Sequence, residues 1–358
     1  MADTGLTGFS RGGSGYFTAV QQPEYIIMGY TILVTGATGF IGTVTVDYLK
    51  KKGYEVRVLI RPESNADTVS SMQVDVVHAR YDDPVSLRKA VEGTDIIVHL
   101  AGVTKSATEK GFYEGNVLPV SNLLGVTMEV NPSLKRFVLV SSLAAAGPAD
   151  NPDPGASEDD VPKPVSIYGR SKREAEKICL SYKERLPVTV IRPPAVYGPG
   201  DRDVLQFLVM LKRGLVLGTG DVRKQLLSLV HVDDLVRGIV MAGESPDGIG
   251  ETYYITSPRG YSWDELSSVA ARELGVKNIR MVALPKLLLR FFGYVAGSIS
   301  LLTGRPGFLN PDKVNEMIQD YWVCSPLKAE RQLGFTASIP LEEGMSSTIA
   351  WYREKGWL

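Results

Sequence analysis

The chain has 358 residues, 44% of them hydrophobic and 22% charged, a balance that can bury a sizeable core in one large domain or two closely joined ones. Thirty-nine Lys plus Arg against forty Asp plus Glu leave a net charge of −1, which excludes a chain-wide basic field for nucleic acid and an acidic solvating tail. Cys179 and Cys324 alone build no disulfide framework and lack the clustered partners of a zinc site, so no metal is expected and the compartment is read as reducing and cytoplasmic.

Residues 1–28, rich in Gly, Ser and Thr and without apolar periodicity, are expected to form an irregular N-terminal extension, with Met28 as an alternative start. From Thr31 short β-rich runs alternate with helical ones. Strands are predicted at Thr31–Thr35, Glu55–Ile60, Val74–Ala79, Ile96–Leu100, Arg136–Ser141 and Val188–Arg192. Helical spacing appears at 43–52 and 85–92 between them. Repeated strand–helix–strand units imply a Rossmann-type, doubly wound parallel sheet, an α/β fold with both faces covered. Beyond Arg192 the alternation weakens: 203–213, 263–274 and 341–355 read as helices, 251–256 as a strand, and 285–325 as helical and apolar. Pro/Gly-rich breaks fall at 147–155, 193–200 and 305–311. The expected division is a dinucleotide-binding domain over 29–195 and a smaller, interleaved substrate domain over 196–358, with segments near 229–258 returning to the first.

The segment Thr35-Gly-Ala-Thr-Gly-Phe-Ile-Gly42 follows the first strand and opens the first helix. Gly36 and Gly39 allow a tight turn and close approach of backbone to a pyrophosphate, and Gly42 allows the helix to pack close to the strand. The unpaired N–H groups at the helix start face the phosphate charge. Gly36, Thr38, Gly39, Phe40, Ile41 and Gly42 are therefore the expected cofactor loop. At the end of the second strand, where a carboxylate commonly receives the ribose hydroxyls of NAD, the chain has Arg61, with Ser64 nearby. An arginine there suits a 2′-phosphate, so NADP is favoured over NAD.

Tyr168 and Lys172 are four apart and share one face of a predicted helix. An ammonium beside a phenol is expected to lower the phenol's pKa towards working pH, so that Tyr168 exchanges a proton with a substrate hydroxyl. Ser142, at the end of the fifth strand, faces the same crevice and can hydrogen-bond the reacting oxygen. His231, with Asp233 and Asp234 beside it, is read as structural.

The order of GxxGxxG, His-Leu-Ala-Gly102, Val-Ser-Ser142, Tyr-Gly-Arg-Ser-Lys172, Arg-Pro-Pro-Ala-Val-Tyr-Gly-Pro-Gly200 and His-Val-Asp-Asp234 resembles the extended short-chain dehydrogenase/reductase family over most of residues 29–358. The resemblance implies that Ala101 and Gly102 border the cofactor and that Lys172 holds the nicotinamide ribose. It places the backbone of Arg192, Pro193 and Pro194 at the carboxamide. Asn116 would kink its helix and support a water relay to Lys172, with Gly115 as the alternative aligned position. It also implies a homodimer joined by helices around 105–130 and 168–184. The family's acid at the end of strand three is Arg80 here, a second departure towards NADP.

Family members that dehydrate nucleotide sugars carry an Asp-Glu pair after the Ser/Thr of the strand-five motif, whereas this chain reads Ser142-Leu-Ala-Ala-Ala-Gly147, which disfavours a dehydratase. Sugar-nucleotide epimerases tend to have an Arg where Leu227 stands and an Asn where Ala195 stands, although Arg223 or Lys224 could grip a diphosphate from the adjoining loop. The segment 285–304 is apolar nearly all round, with Lys286 and Arg290 at its start. It reads as a buried helix, a wall for an apolar substrate, or an interfacial helix giving peripheral membrane contact. Its charge-free core, Phe291 to Leu302, is twelve residues and too short to span. These features imply NAD(P)-dependent interconversion of a secondary alcohol and a ketone on a bulky, apolar, alicyclic or isoprenoid-like small molecule. The alternatives are an NDP-sugar 4-epimerase and a non-catalytic cofactor-binding scaffold.

Overall fold

The computed structural model describes residues 29–219, 224–303 and 310–358. The N-terminal extension, Arg223 and most of the 305–311 break lie outside the described residues. The strands are β1 (Thr31–Thr35), β2 (Glu55–Ile60), β3 (Asp75–His78), β4 (Ile96–His99), β5 (Arg136–Val140), β6 (Val188–Arg192), β7 (Ala195–Tyr197), β8 (Leu215–Thr219), β9 (Leu226–His231), β10 (Thr252–Tyr254), β11 (Gly260–Ser262), β12 (Arg280–Leu284) and β13 (Tyr321–Trp322).

One seven-stranded sheet has the order β10-β6-β5-β4-β1-β2-β3, and all its pairings are parallel. Its central strands read as apolar runs because both faces are covered: every residue of β5 and β6 is buried. On one face Val46 and Leu49 of helix Phe40–Lys51 and Leu235 and Ile239 of helix Val232–Glu244 pack against Val34 and Val138. On the other, Leu87, Leu123, Ala175 and Cys179, from helices Pro84–Val91, Leu118–Val130 and Ile167–Ser181, pack against Leu33 and Phe137. The chain winds outward from β1 to β3, then crosses back to set β4 beside β1. That reversal opens a crevice at the carboxyl ends of β1 and β4, the place where open α/β sheets take ligands.

The later residues build two small sheets. β9 pairs with β7, β11 and β13, while β8 pairs with β12 in parallel. Helices Asp203–Lys212, Trp263–Leu274 and Leu341–Glu354 cover them around a separate apolar cluster that includes Leu208, Leu266 and Met345. Of the late segments, Thr252–Tyr254 joins the large sheet beside β6, whereas Leu226–His231 lies in a small one.

The 285–325 region, expected to be helical and apolar with a break at 305–311, also contains a strand. It holds helix Lys286–Thr303, helix Pro311–Met317 and the short strand β13. Asn310 caps the second helix by accepting from the Lys313 N–H (2.7 Å), and Pro311 occupies its first position, so the chain restarts rather than continues. His231 caps helix Val232–Glu244, its Nδ1 accepting from the Asp233 N–H (3.4 Å). Asp234 staples the C-terminal part of the chain: its carboxylate accepts from the backbone N–H of Ser338 (2.9 Å) and Ile339 (2.8 Å) and from Arg237 (2.7 Å). The His-Val-Asp-Asp motif therefore does structural rather than chemical service.

Candidate active site

The glycine loop is a cradle that side chains would fill. Gly36 adopts φ +69°, and a Cβ there would fall 2.7 Å from the Ala101 nitrogen. A Cβ on Gly42 would fall 2.1 Å from the Gly36 carbonyl oxygen, so the helix can sit this close to the turn only with glycine. Gly39 is the N-cap of helix Phe40–Lys51 and supplies no side-chain cap, which leaves the first N–H groups available to an anion. Thr38 is exposed on the loop, and Phe40 and Ile41 begin the helix. Ala101 and Gly102 follow β4 across the crevice, where the Ala101 N–H donates to the Thr35 hydroxyl (3.3 Å). A glycine cradle with an uncapped helix start fits a dinucleotide pyrophosphate.

Ser142 lies two residues beyond the end of β5 and caps the 3₁₀ turn Leu143–Ala145, its Oγ accepting from the Ala144 N–H (3.1 Å). Tyr168 and Lys172 lie on helix Ile167–Ser181, which Ser166 caps by accepting from the Gly169 N–H (2.9 Å). Gly169 brings the two elements together: a Cβ there would sit 2.3 Å from the Ala144 carbonyl oxygen. The glycine of the Tyr-Gly-Arg-Ser-Lys run thus seats the Tyr168 helix against the Ser142 turn. The Leu143 N–H donates to the Pro193 carbonyl (2.8 Å), tying the end of β6 to the same turn, with Pro194 next in line.

Lys172 is buried, and its ammonium donates to the Val140 carbonyl (2.8 Å). Asn116 sits in a π-helical turn, Tyr113–Val117, which is the local kink in its helix. Its Oδ1 accepts from the Val103 N–H (2.7 Å), and its Nδ2 donates to the Val103 carbonyl (3.1 Å) and the Ser171 hydroxyl (2.9 Å). An added Cβ on Gly102 would lie 2.8 Å from Asn116 Oδ1 and 3.7 Å from Lys172 Nζ, so Gly102 is the spacer between them. Gly115 instead packs against Val103. Asn116, not Gly115, faces the site.

Electrostatically the phenol departs from expectation. Removal from water pushes the Tyr168 pKa up to about 12, against the pull of the Ser142 hydroxyl, and the Glu316 charge adds to the rise. Burial brings the Lys172 ammonium down to about 8, opposed by the Glu176 carboxylate. The expected lowering of the phenol by Lys172 is therefore not present in the chain by itself. Burial outweighs the pull of the Ser142 hydroxyl, and Tyr168 holds its proton at neutral pH.

Three features had no sequence signal of their own. Glu176, one turn beyond Lys172, is buried in a two-point ion pair with Arg192, Nε to Oε1 at 2.8 Å and Nη2 to Oε2 at 2.7 Å. Asp312 of helix Pro311–Met317 caps the Tyr168 helix from outside, accepting from the N–H groups of Ile167 and Tyr168 (3.3 Å). Ser166 donates to Glu316 of the same helix (2.8 Å). No local pattern joins residues 144 positions apart.

The other marked positions lie towards the rims. Arg61 is exposed at the end of β2. Arg80, after β3, pairs with Glu63 (3.5 Å) and Asp82 (3.3 Å). Ala195 is exposed, whereas Leu227 packs against the apolar cluster of the small sheets. The apolar character of Leu227 is thus met by that core. Lys224 is exposed, beside the undescribed Arg223.

The model of the NAD dependent epimerase/dehydratase family matches residues 32–256. Among curated relatives, the chain is 29% identical to a ceramide reductase of Caulobacter vibrioides, over 91% of this chain and 96% of that one. It is 28% identical to a UDP-glucose 4-epimerase of Vibrio cholerae, over 80% and 88%. Among solved structures, MoeE5 in complex with UDP-glucuronic acid and NAD superposes with a TM-score of 0.71 at 25% identity, over 91% of this chain and 99% of that one. With the family model spanning more than half of the sequence and the reversal of the sheet set beside its glycine cradle, this chain belongs to the NAD dependent epimerase/dehydratase family, as an enzyme of the extended short-chain dehydrogenase/reductase type.

Proposed function

We propose that this oxidoreductase interconverts a ketone and a secondary alcohol on a bulky apolar substrate, with NADP as the preferred cofactor and a long-chain lipid as the favoured substrate class. The observation that supports this reading is the Tyr168 hydroxyl beside Ser142, with Lys172 next to Gly102 at the end of the strand that borders the glycine loop. The bound nicotinamide supplies or accepts the hydride. In ketone reduction Tyr168, protonated at neutral pH, donates its proton to the carbonyl oxygen, and Ser142 hydrogen-bonds the same oxygen. Lys172 holds the nicotinamide ribose and, when charged, eases loss of the phenolic proton. Asn116 anchors the Gly102–Val103 backbone beside Lys172. Gly36, Thr38, Gly39, Phe40, Ile41, Gly42, Ala101, Pro193 and Pro194 line the cofactor path.

Likeness to a ceramide reductase and to a sterol-4-alpha-carboxylate 3-dehydrogenase supports an apolar lipid substrate. The 3₁₀ turn after Ser142 is Leu143-Ala144-Ala145, all buried and without a carboxylate, which gives elimination chemistry no acid or base at that point. Arg61 supports NADP, since the next acid in sequence, Glu63, is engaged by Arg80. A second reading, a sugar-nucleotide 4-epimerase, is favoured by the Vibrio cholerae relative and by the neighbour holding UDP-glucuronic acid.

One assay separates them. With a long-chain keto-lipid dispersed in detergent, NADPH is consumed in one-to-one ratio with alcohol formed, faster than NADH, and Arg61→Ala loses that preference by about tenfold or more. Interconversion of UDP-sugars with no net cofactor turnover would establish the epimerase instead.

A further inference from the structure

Helix Lys286–Thr303 presents an apolar face to solvent. Leu287 is 79% exposed, Phe291 61% and Tyr294 66%, with Leu288, Phe292 and Val295 exposed on the same side. The opposite stripe, Leu289, Gly293 and Gly297, is what the protein covers. A Cβ on Gly293 would meet Val314 at 2.7 Å, and one on Gly297 would meet Pro311 at 2.6 Å. The two glycines let helix Pro311–Met317 lie against this stripe. The strand that leads into this helix, β12, belongs to the two-stranded sheet, where exposed Val282 and Leu217 stand opposite each other in register. An apolar area shared by a helix and the adjoining sheet marks an interaction surface rather than scattered exposure.

Its charge identifies the occupant. From Leu274 to Pro311 the sequence has no Asp or Glu, yet it carries Lys277, Arg280, Lys286, Arg290 and Arg305. The strand paired with β12 lies in a second acid-free run, 204–220, which includes Lys212 and Arg213. Lys286 reaches Asp320 (3.3 Å), outside both runs. Arg290 and Asn315 line a cleft of about 290 Å³ with Tyr294, Pro311 and Val314, beside the apolar face. Exposed Leu and Phe flanked by an excess of cations are what an anionic bilayer surface holds at the headgroup boundary. A second copy meeting this face about a two-fold axis would bring the same cations together. No helix among the described residues is long and apolar enough to cross a membrane.

We propose that helix Lys286–Thr303 and the β8–β12 sheet form a docking surface that lies on a bilayer carrying anionic phospholipids. The helix behind this surface is the one whose Asp312 and Glu316 hold the start of the Tyr168 helix, so docking sets the catalytic crevice one helix away from the lipid. The proposal is independent of the substrate assigned above, since turnover of a short, water-soluble alcohol or ketone reports the chemistry without vesicles.

The test is sedimentation of the full chain with vesicles of phosphatidylcholine alone and of phosphatidylcholine with phosphatidylglycerol. The wild type sediments with the anionic vesicles and is released by high salt. The double substitution Leu287→Asp, Phe291→Asp lowers that partition by about tenfold or more while cofactor binding and thermal melting stay as in the wild type. Val161→Asp, at an exposed apolar residue elsewhere, leaves the partition unchanged. Absence of sedimentation with anionic vesicles, or full sedimentation of the double variant, overturns the proposal. So does a concentration-dependent dimer, seen without vesicles, that the double substitution abolishes.

Discussion

Tyr168→Phe is expected to lower kcat by about 10²–10⁴-fold while the cofactor dissociation constant stays near the wild-type value. The substitution keeps the ring that packs 6.0 Å from Phe112 and removes only the hydroxyl. That hydroxyl is the group raised to about 12 by burial, so it is a proton donor across the working pH range and its loss has no nearby substitute. In the proposed site the glycine cradle and Lys172 hold the cofactor, and the change leaves both in place. Isothermal titration with NADP and steady-state assays on one preparation separate the two effects. Equal loss of binding and rate would assign Tyr168 to cofactor binding, and a variant with wild-type biological activity would favour the scaffold.

The second large effect is in the interior. Glu176→Gln keeps the side-chain volume but leaves Arg192 buried with its charge unpaired, at a cost of about 3–5 kcal/mol in a urea unfolding curve. Replacing both, Glu176→Met with Arg192→Leu, should recover much of the loss, because neither charge is then stranded. A single variant within about 0.5 kcal/mol of wild type would mean that the pair adds nothing that water cannot replace. Activity gives a second readout. Burial brings the Lys172 ammonium down to about 8, so the fraction carrying the useful ammonium is expected to fall as pH rises through 8, and kcat/KM with it. The Glu176 charge favours that ammonium, so Glu176→Gln moves the alkaline limb to lower pH.

Legibility followed the range of the interactions. The central strands β1, β4, β5 and β6 read from local apolar runs because both faces of the sheet are buried there, and the glycine loop read from spacing because its glycines answer close approaches. Ser142, Tyr168 and Lys172 could be placed at one crevice from strand-end and helix-face arguments. The short strands β7, β8, β11, β12 and β13 were not legible, since two to five residues paired across distant sequence carry no period. Nor was Asp312, whose hydrogen bonds reach back to Ile167 and Tyr168. The sign of the Tyr168 shift was misread because spacing shows a neighbouring lysine and not the burial that raises the phenol. Leu227 stands where sugar-nucleotide epimerases tend to carry an Arg, and spacing could not show that its environment is the core of the small sheets.

The most direct measurement is a crystal structure with NADP bound. The account predicts the pyrophosphate on the backbone between Gly36 and Gly42, the nicotinamide ribose within reach of the Lys172 ammonium, and the Tyr168 hydroxyl turned towards the nicotinamide ring. A dinucleotide seated elsewhere, or a ring flanked by neither Tyr168 nor Ser142, would contradict it.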